Sequence, residues 1–162
     1  MSDKQPTMIR EVGLRTVKQL PALGTRVLSP ADAFLVWQYV IERADWWDPQ
    51  RETLCSLFTD IKGNVQGFHL AHLGGRSSAS LDIPLTLRPA VLAGAARLFI
   101  FHNHPTGDTD PSPEDIASTR GLAEACHILE IQLIDHLIIG TKHANVWPWL
   151  SLRSQDGSLF SS

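Results

Sequence analysis

Two histidines and an aspartate are the residues whose types and spacing are best suited to chemistry. His102 and His104 end an apolar run that begins at Leu98, and Asp115 follows a loop rich in proline, glycine and aspartate. A short apolar run without charge is typical of a buried strand, which such a loop would end. Residues two apart in a strand point to the same side of the sheet. We therefore expect both imidazoles on one side of the strand's end.

A helix start follows the loop. Ser112 can cap the helix, Pro113 suits its first position, and Asp115 is the carboxylate at the third position that completes a capping box. The loop over residues 105–111 can turn this helix back against the strand and bring Asp115 towards the two histidines. Two imidazoles and one carboxylate leave the fourth position of a tetrahedral zinc site to water, as in catalytic zinc sites. The sequence thus predicts that Asp115 and the two histidines bind zinc.

Each part of this pattern has a simpler interpretation when taken alone. A His-x-His pair is more often two polar side chains at a strand end. Asp115 alone is most often a cap that complements the helix dipole, and Ser112 alone is an N-cap. The order and spacing of these residues, with Pro105, Gly107 and Pro111 shaping the loop, favour the metal site over those alternatives.

The run from His102 to Gly107, followed by the segment over residues 111–115, resembles the JAMM (JAB1/MPN+) metalloprotease signature. In its fuller form the run is most similar to the bacterial RadC-like JAB branch of that superfamily. The resemblance extends over about residues 28–140 and therefore covers most of the chain. Its further matching segments lie at residues 28–30, 51–52, 60–63, 94–95 and 135–140.

The resemblance implies an α/β domain of the MPN fold, with a mixed β-sheet layered with helices. It implies a Zn2+ cofactor on His102, His104 and Asp115, and a hydrolase that cleaves amide bonds in a protein or peptide with metal-activated water. Glu52 stands where the family has its catalytic glutamate, which acts as general base and then as general acid. Ser112 would donate a hydrogen bond to the oxyanion and would not act as the nucleophile.

Other patterns predict the elements around the site. We expect a helix that starts at Ser29, a β-hairpin, a second helix, the histidine-bearing strand, a third helix, and further strand material interrupted at Asp135 and His136. His136 is a partner of the site, a substrate contact or a satisfied core histidine, while His69 and His72 are predicted not to be ligands. The predicted bounds are residues 51–60 and 65–72 for the hairpin, 87–95 for the second helix, 97–101 for the next strand, 112–129 for the third helix, and 130–134, 137–139 and 146–150 for the last strands.

Length and composition are those of an ordinary globular domain. The chain has 162 residues, of which 43% are apolar and 19% charged, with a formal net charge of −3. We expect an N-terminal arm over residues 1–28, a RadC-like JAB/MPN domain over 29–153 and a frayed C-terminal tail over 154–162. The charge gives no nucleic-acid footprint, so direct nucleic-acid binding is not expected. No apolar run is long enough to cross a membrane, so a cytoplasmic location is expected, and the oligomeric state is left open.

Alternative functions follow from the same residues. A zinc-loaded MPN domain can recognise a protein tail without cleaving it, as a protein-interaction module. An accessory role in DNA repair or mobile-element biology is suggested only by the name of the family branch. Cytidine deaminases share the expected layout, but they bind zinc through a C-x-x-C pair. Cys55 and Cys126 do not form such a pair, so a deaminase is disfavoured, and both are expected to be small buried residues.

Overall fold

The computed structural model of the chain describes residues 26–74 and 81–161. Most of the predicted N-terminal arm therefore lies outside the described residues. The same is true of residues 75–80, which belong to a loop expected from the family resemblance to border the active site. The fold given below is that of the two described ranges.

The described chain contains four α-helices and five strands. The helices are α1 (Pro30–Val36), α2 (Ile83–Leu92), α3 (Pro113–Ile128) and α4 (Leu152–Gln155). The strands are β1 (Thr53–Thr59), β2 (Val65–Leu73), β3 (Arg97–Asn103), β4 (Gln132–Ile139) and β5 (Trp149–Ser151). A π-helical turn, Trp37–Ile41, extends α1, and a 3-10 turn, Gly157–Phe160, follows α4. Among these described helices, none combines the length and the apolar character that a membrane span requires.

The strands form one mixed sheet in the order β2-β1-β3-β4-β5. Only β3 and β4 run parallel, and the other neighbours are antiparallel. Helix α1 packs on one face, where Phe99 and Phe101 of β3 point, while α2 and α3 pack on the other, where Leu98 and Ile100 point. The predicted α/β layering with a mixed sheet is confirmed. By this alternation, His102 at the end of β3 faces α2 and α3.

The two predicted helix starts are confirmed. The Ser29 side chain accepts a hydrogen bond from the Asp32 amide, and the Asp32 carboxylate accepts one from the Ser29 amide. Ser112 and Asp115 make the same reciprocal pair at the start of α3. Each pair satisfies two of the main-chain donors that a helix start leaves without partners. A short sequence signal therefore fixes where each of these helices begins.

Helix α2 begins earlier than predicted. It starts at Ile83 and not at Leu87, because Asp82 caps it through the Leu85 amide at 2.9 Å and Pro84 lies in its first turn. The first turn contributes little to the core, so the apolar periodicity starts only where buried side chains begin. Asp82 and Pro84 mark the start of this helix in the sequence, and a prediction from apolar periodicity alone does not use them.

The predicted interruption of the fourth strand is wrong. Strand β4 runs from Gln132 to Ile139 without a break, although Asp135 and His136 are almost fully buried within it. Asp135 accepts hydrogen bonds from the Ser151 hydroxyl and the Arg153 amide, and His136 contacts two polar side chains described below. Buried polar groups persist in a strand when they have such partners. The last strand is shorter than predicted, since β5 begins at Trp149, after Pro148, and it lies at the edge of the sheet.

The prediction of a frayed tail over residues 154–162 is wrong for the residues described there. Leu159 is only 2% exposed and packs with Ile138 of β4 and Leu152 of α4. The Arg153 guanidinium lies over the ring of Phe160, 4.4 Å from its centroid. The C-terminal segment therefore covers an edge of the core and contributes to folding.

This packing predicts that Leu159→Ala destabilises the protein by about 3 kcal/mol, since it leaves a cavity in a buried cluster. The matched control is Ile128→Ala, whose side chain is 80% exposed and whose loss should change the free energy of unfolding by less than about 0.5 kcal/mol. Urea denaturation followed by circular dichroism measures both. Equal midpoints for Leu159→Ala and the unmodified chain would contradict the packing of the C-terminal segment.

Candidate metal centre

The structure brings the three predicted ligands together. The Nε2 atom of His102 lies 3.4 Å from Oδ1 of Asp115, and Nε2 of His104 lies 3.4 Å from Oδ2 of the same carboxylate. Within the described ranges these residues form a group whose ligand atoms all lie within 4.8 Å of one another. His69 and His72 do not belong to that group. Two strand histidines and one helix-start carboxylate thus converge as the sequence pattern requires.

The loop between β3 and α3 has a defined path. The His104 amide donates to the Ile139 carbonyl at 2.8 Å, which continues the parallel pairing past the end of β3. Gly107 has φ +89°, a conformation that favours glycine, and a Cβ there would lie 3.2 Å from Oγ1 of Thr141. These contacts hold the loop against the end of β4, and α3 starts from there beside the histidines.

The proton of His104 can be assigned from its partner. Its Nδ1 lies 2.8 Å from the main-chain oxygen of Asp108. A carbonyl oxygen only accepts, so Nδ1 carries a hydrogen and the lone pair of the neutral ring is on Nε2, the atom that faces Asp115. Protonation of the ring would place an Nε2 hydrogen beside the Asp115 carboxylate, and this interaction raises the pKa of His104 against the opposing effect of burial.

His102 supplies the observation that best tests whether a cation fits. Its ring is 3% exposed, and its Nε2 is a buried nitrogen without a hydrogen-bond partner in the described part of the chain. Burial lowers the pKa of His102 to about 4, although the Asp115 charge opposes this effect. The ring is therefore neutral at neutral pH. A buried, unpartnered nitrogen beside a carboxylate is the environment of a metal ligand, and the nitrogen and oxygen donors suit zinc.

Asp115 is held by its own helix start. Its Oδ2 accepts hydrogen bonds from the Ser112 amide at 2.8 Å and from the Ser112 hydroxyl at 2.7 Å. Burial alone would raise the pKa of this carboxyl, but the approach of the His104 and His102 rings and the hydrogen bonds from Ser112 together keep it well below its usual range. Asp115 is therefore ionised, as a metal ligand must be.

The Ser112 hydroxyl is engaged on both sides. It donates to Asp115 and accepts from the Asp115 amide at 3.1 Å. This arrangement agrees with the expectation that Ser112 is not a nucleophile, since its partner is a carboxylate of lowered pKa and a poor base. The oxyanion role of Ser112 stays a prediction.

Glu52 reaches the same site from the start of β1. Its Oε1 lies 3.8 Å from Nε2 of His102, and its side chain is 15% exposed. Glu52 also lines a small cleft beside the histidine, whose other walls include Leu54, Leu81 and Ser118. The structure thus brings Glu52, the predicted general base, to the cleft beside the ligand group.

Asn103 is a residue of the site that sequence reasoning missed. It is 2% exposed, and its Oδ1 accepts from the Thr53 amide at 2.9 Å while its Nδ2 donates to the Arg51 carbonyl at 3.0 Å. The asparagine therefore fixes the main chain on both sides of Glu52. A signal was present, because an amide side chain in a buried strand needs hydrogen-bond partners.

His136 lies directly behind His102. Its Nε2 is 3.1 Å from Nδ1 of His102, and its Nδ1 is 2.7 Å from Oγ1 of Thr119 in α3. Burial lowers the pKa of His136 to about 3, so this ring is neutral too. Of the alternatives that the sequence left open, the structure favours a partner of the site, and Thr119 was not predicted at all.

Comparison with known proteins agrees with the geometry. The family model of the RadC-like JAB domain matches residues 29–156. The UPF0758 protein of Roseiflexus castenholzii is 32% identical over 130 residues, which cover 80% of this chain and 54% of that protein. The UPF0758 protein of Acidithiobacillus ferrooxidans is 36% identical over 149 residues, which cover 92% of this chain and 62% of that protein. The chain spans about half the length of several curated relatives that it matches. It belongs to the RadC-like JAB domain family.

Proposed function

We propose that this chain is a zinc-dependent metallopeptidase or isopeptidase-like amide hydrolase. The observation that carries the proposal is the approach of the Glu52 carboxylate to His102, at the open side of the ligand group of two imidazoles and one carboxylate. Membership of the JAB family supports it, because that superfamily includes hydrolases. The unpartnered Nε2 of His102 supports the metal itself.

His102, His104 and Asp115 would hold the ion through two nitrogen atoms and one carboxylate oxygen. An ion held there, with zinc as the proposed metal, would make water acidic near neutral pH and would polarise a substrate carbonyl. Glu52 would accept a proton from the attacking water on its carboxylate and later pass it to the leaving amine. The same carboxylate would therefore serve first as general base and then as general acid.

Ser112 would stabilise negative charge on the reacting carbonyl oxygen. To do so its hydroxyl hydrogen must turn from Asp115 towards the substrate, while the Asp115 carboxylate keeps its hydrogen bond from the Ser112 amide at 2.8 Å. Loss of one oxyanion donor typically costs about 3–4 kcal/mol of transition-state stabilisation. The serine therefore contributes to both ligand placement and charge stabilisation in this proposal.

The proposed substrate is a protein or peptide, and the proposed location is the cytoplasm. The Gly74 amide donates to the Glu52 carbonyl at 2.8 Å, so the chain that leads towards residues 75–80 leaves from beside the general base. Because the chain spans only part of its relatives, the proposal concerns the activity of this domain.

The first prediction of the proposed function concerns the ligands. Protein reconstituted with zinc and passed through a desalting column should retain about one zinc ion per chain by elemental analysis. His104→Ala should lose that zinc, because a strand-end imidazole with an Nε2 lone pair is removed. His72→Ala is the matched control, since His72 lies on β2 outside the ligand group, and it should keep the zinc. Retention of zinc by His104→Ala together with loss in His72→Ala would overturn the ligand set.

The second prediction concerns the general base. Glu52→Gln should keep the zinc and the fold but lower amide hydrolysis by a factor of about 10²–10⁴, the usual contribution of a positioned proton-transfer group. Hydrolysis of a mixed peptide library in ¹⁸O-labelled water, followed by mass spectrometry, detects both cleavage and the entry of water oxygen into the new carboxyl group. Glu124→Gln on α3 is the control for loss of one carboxylate. Undiminished hydrolysis by zinc-loaded Glu52→Gln would rule out the assigned role.

The third prediction concerns Asn103. Asn103→Ala should keep zinc binding, because the histidines and Asp115 are untouched, but lower kcat/KM by a factor of about 10² since a misplaced general base loses its alignment. The variant Leu159→Ala controls for lost stability, because Leu159 belongs to a buried cluster that contains neither Glu52 nor Asn103. If Leu159→Ala loses as much activity as Asn103→Ala at equal folded fraction, the effect is one of stability and the positioning role fails.

A further inference from the structure

We propose that Thr119 and His136 are positioning residues that fix the ring proton of His102 on Nδ1 and so leave its Nε2 lone pair facing the ligand group. The inference rests on the proposed zinc centre. It concerns residues to which the proposed hydrolysis assigns no role. Strand β4 supplies His136 and helix α3 supplies Thr119, and both are fully or almost fully buried.

The direction of each hydrogen bond can be assigned by starting from the contact between Thr119 and the Asp115 main chain. The main-chain oxygen of Asp115 lies 2.6 Å from Oγ1 of Thr119. Two oxygens this close need a hydrogen between them, and a carbonyl has none to give. The Thr119 hydroxyl therefore donates to Asp115, and its hydrogen is not available to His136.

The remaining steps are set by that assignment. Oγ1 of Thr119 lies 2.7 Å from Nδ1 of His136, so this nitrogen carries the hydrogen and donates to the threonine oxygen. A neutral imidazole has one N–H and one lone pair, which places the lone pair of His136 on Nε2. That atom lies 3.1 Å from Nδ1 of His102 and must accept from it. His102 is left with a lone pair on Nε2.

The result accounts for the unpartnered nitrogen at the site. Nε2 of His102 and Oδ1 of Asp115 are then both acceptors, 3.4 Å apart, with the Glu52 carboxylate 3.8 Å away on the same nitrogen. Buried acceptors that face one another destabilise the fold unless a cation lies between them. The other tautomer would let His102 donate to Asp115 and would present an N–H, which cannot bind a metal.

The two histidines of the site reach the same state by different means. His104 donates to a main-chain carbonyl in its own loop, whereas His102 donates to a neutral imidazole on the neighbouring strand. Partners of this kind hold the ring orientation and tautomer of metal-binding histidines, and their loss typically weakens metal binding by a factor of about 10–100. Thr119 lies one turn after Asp115, so the contacts run from one ligand's main chain to the other ligand's ring.

The test pairs two variants at position 119. Thr119→Val keeps the shape but removes the hydroxyl, and zinc affinity, measured by competition with a chromophoric chelator, should fall by a factor of about 10–100. Thr119→Ser keeps the hydroxyl and should keep the affinity of the unmodified chain. Leu137→Ala, a buried change on the opposite face of β4, controls for lost stability and should bind zinc as before.

A second measurement needs no metal. Long-range ¹H–¹⁵N correlation spectra of the metal-free chain, labelled in its histidines, should show His102 protonated on Nδ1 alone, and Thr119→Val should show both tautomers. A His102 protonated on Nε2 in the unmodified chain would overturn the inference, as would equal zinc affinity for Thr119→Val and Thr119→Ser. If no variant and no unmodified chain binds zinc, the proposed function fails, while the spectra still decide the tautomer.

Discussion

The capping pair between Ser112 and Asp115 is the interaction on which the site depends. The same carboxylate that accepts from the Ser112 amide and hydroxyl also faces the Nε2 atoms of both histidines. A helix cap is a strong local constraint, worth about 1 kcal/mol, and it is encoded within four consecutive residues. Because the cap orients the carboxylate before any ion is bound, the ligand group is formed by folding itself. Helix start and ligand placement are thus one event.

The sheet positions the histidine side of the site, and it does so by burying polar groups. Strands β3 and β4 carry His102, Asn103, Asp135 and His136 in positions that are at most 3% exposed. Buried polar groups destabilise a fold unless they are hydrogen-bonded. Asn103 is satisfied by the main chain around Glu52, Asp135 by the C-terminal segment, and His136 by Thr119 and His102. The core and the site are therefore connected by the partners that these groups need.

Local signals in the sequence were sufficient for much of this structure. The caps at Ser29 and Ser112 and the alternation of β3 predicted the helix starts and the shared side of the two histidines. The family resemblance supplied Glu52, which no local pattern marks. The partners of Asn103 and His136 were not predictable, because they lie 17 to 52 positions away in the sequence and their contacts depend on strand register and helix packing. The same reason explains the C-terminal segment, whose polar residues concealed the burial of Leu159.

The central claim is that two imidazoles and one carboxylate bind zinc and leave a coordination position open. X-ray absorption at the zinc edge of the reconstituted chain tests it most directly. The account predicts nitrogen and oxygen ligands at about 2.0–2.2 Å, with the multiple scattering of two imidazole rings. A sulfur shell at about 2.3 Å, or a spectrum with no imidazole scattering, would contradict the account.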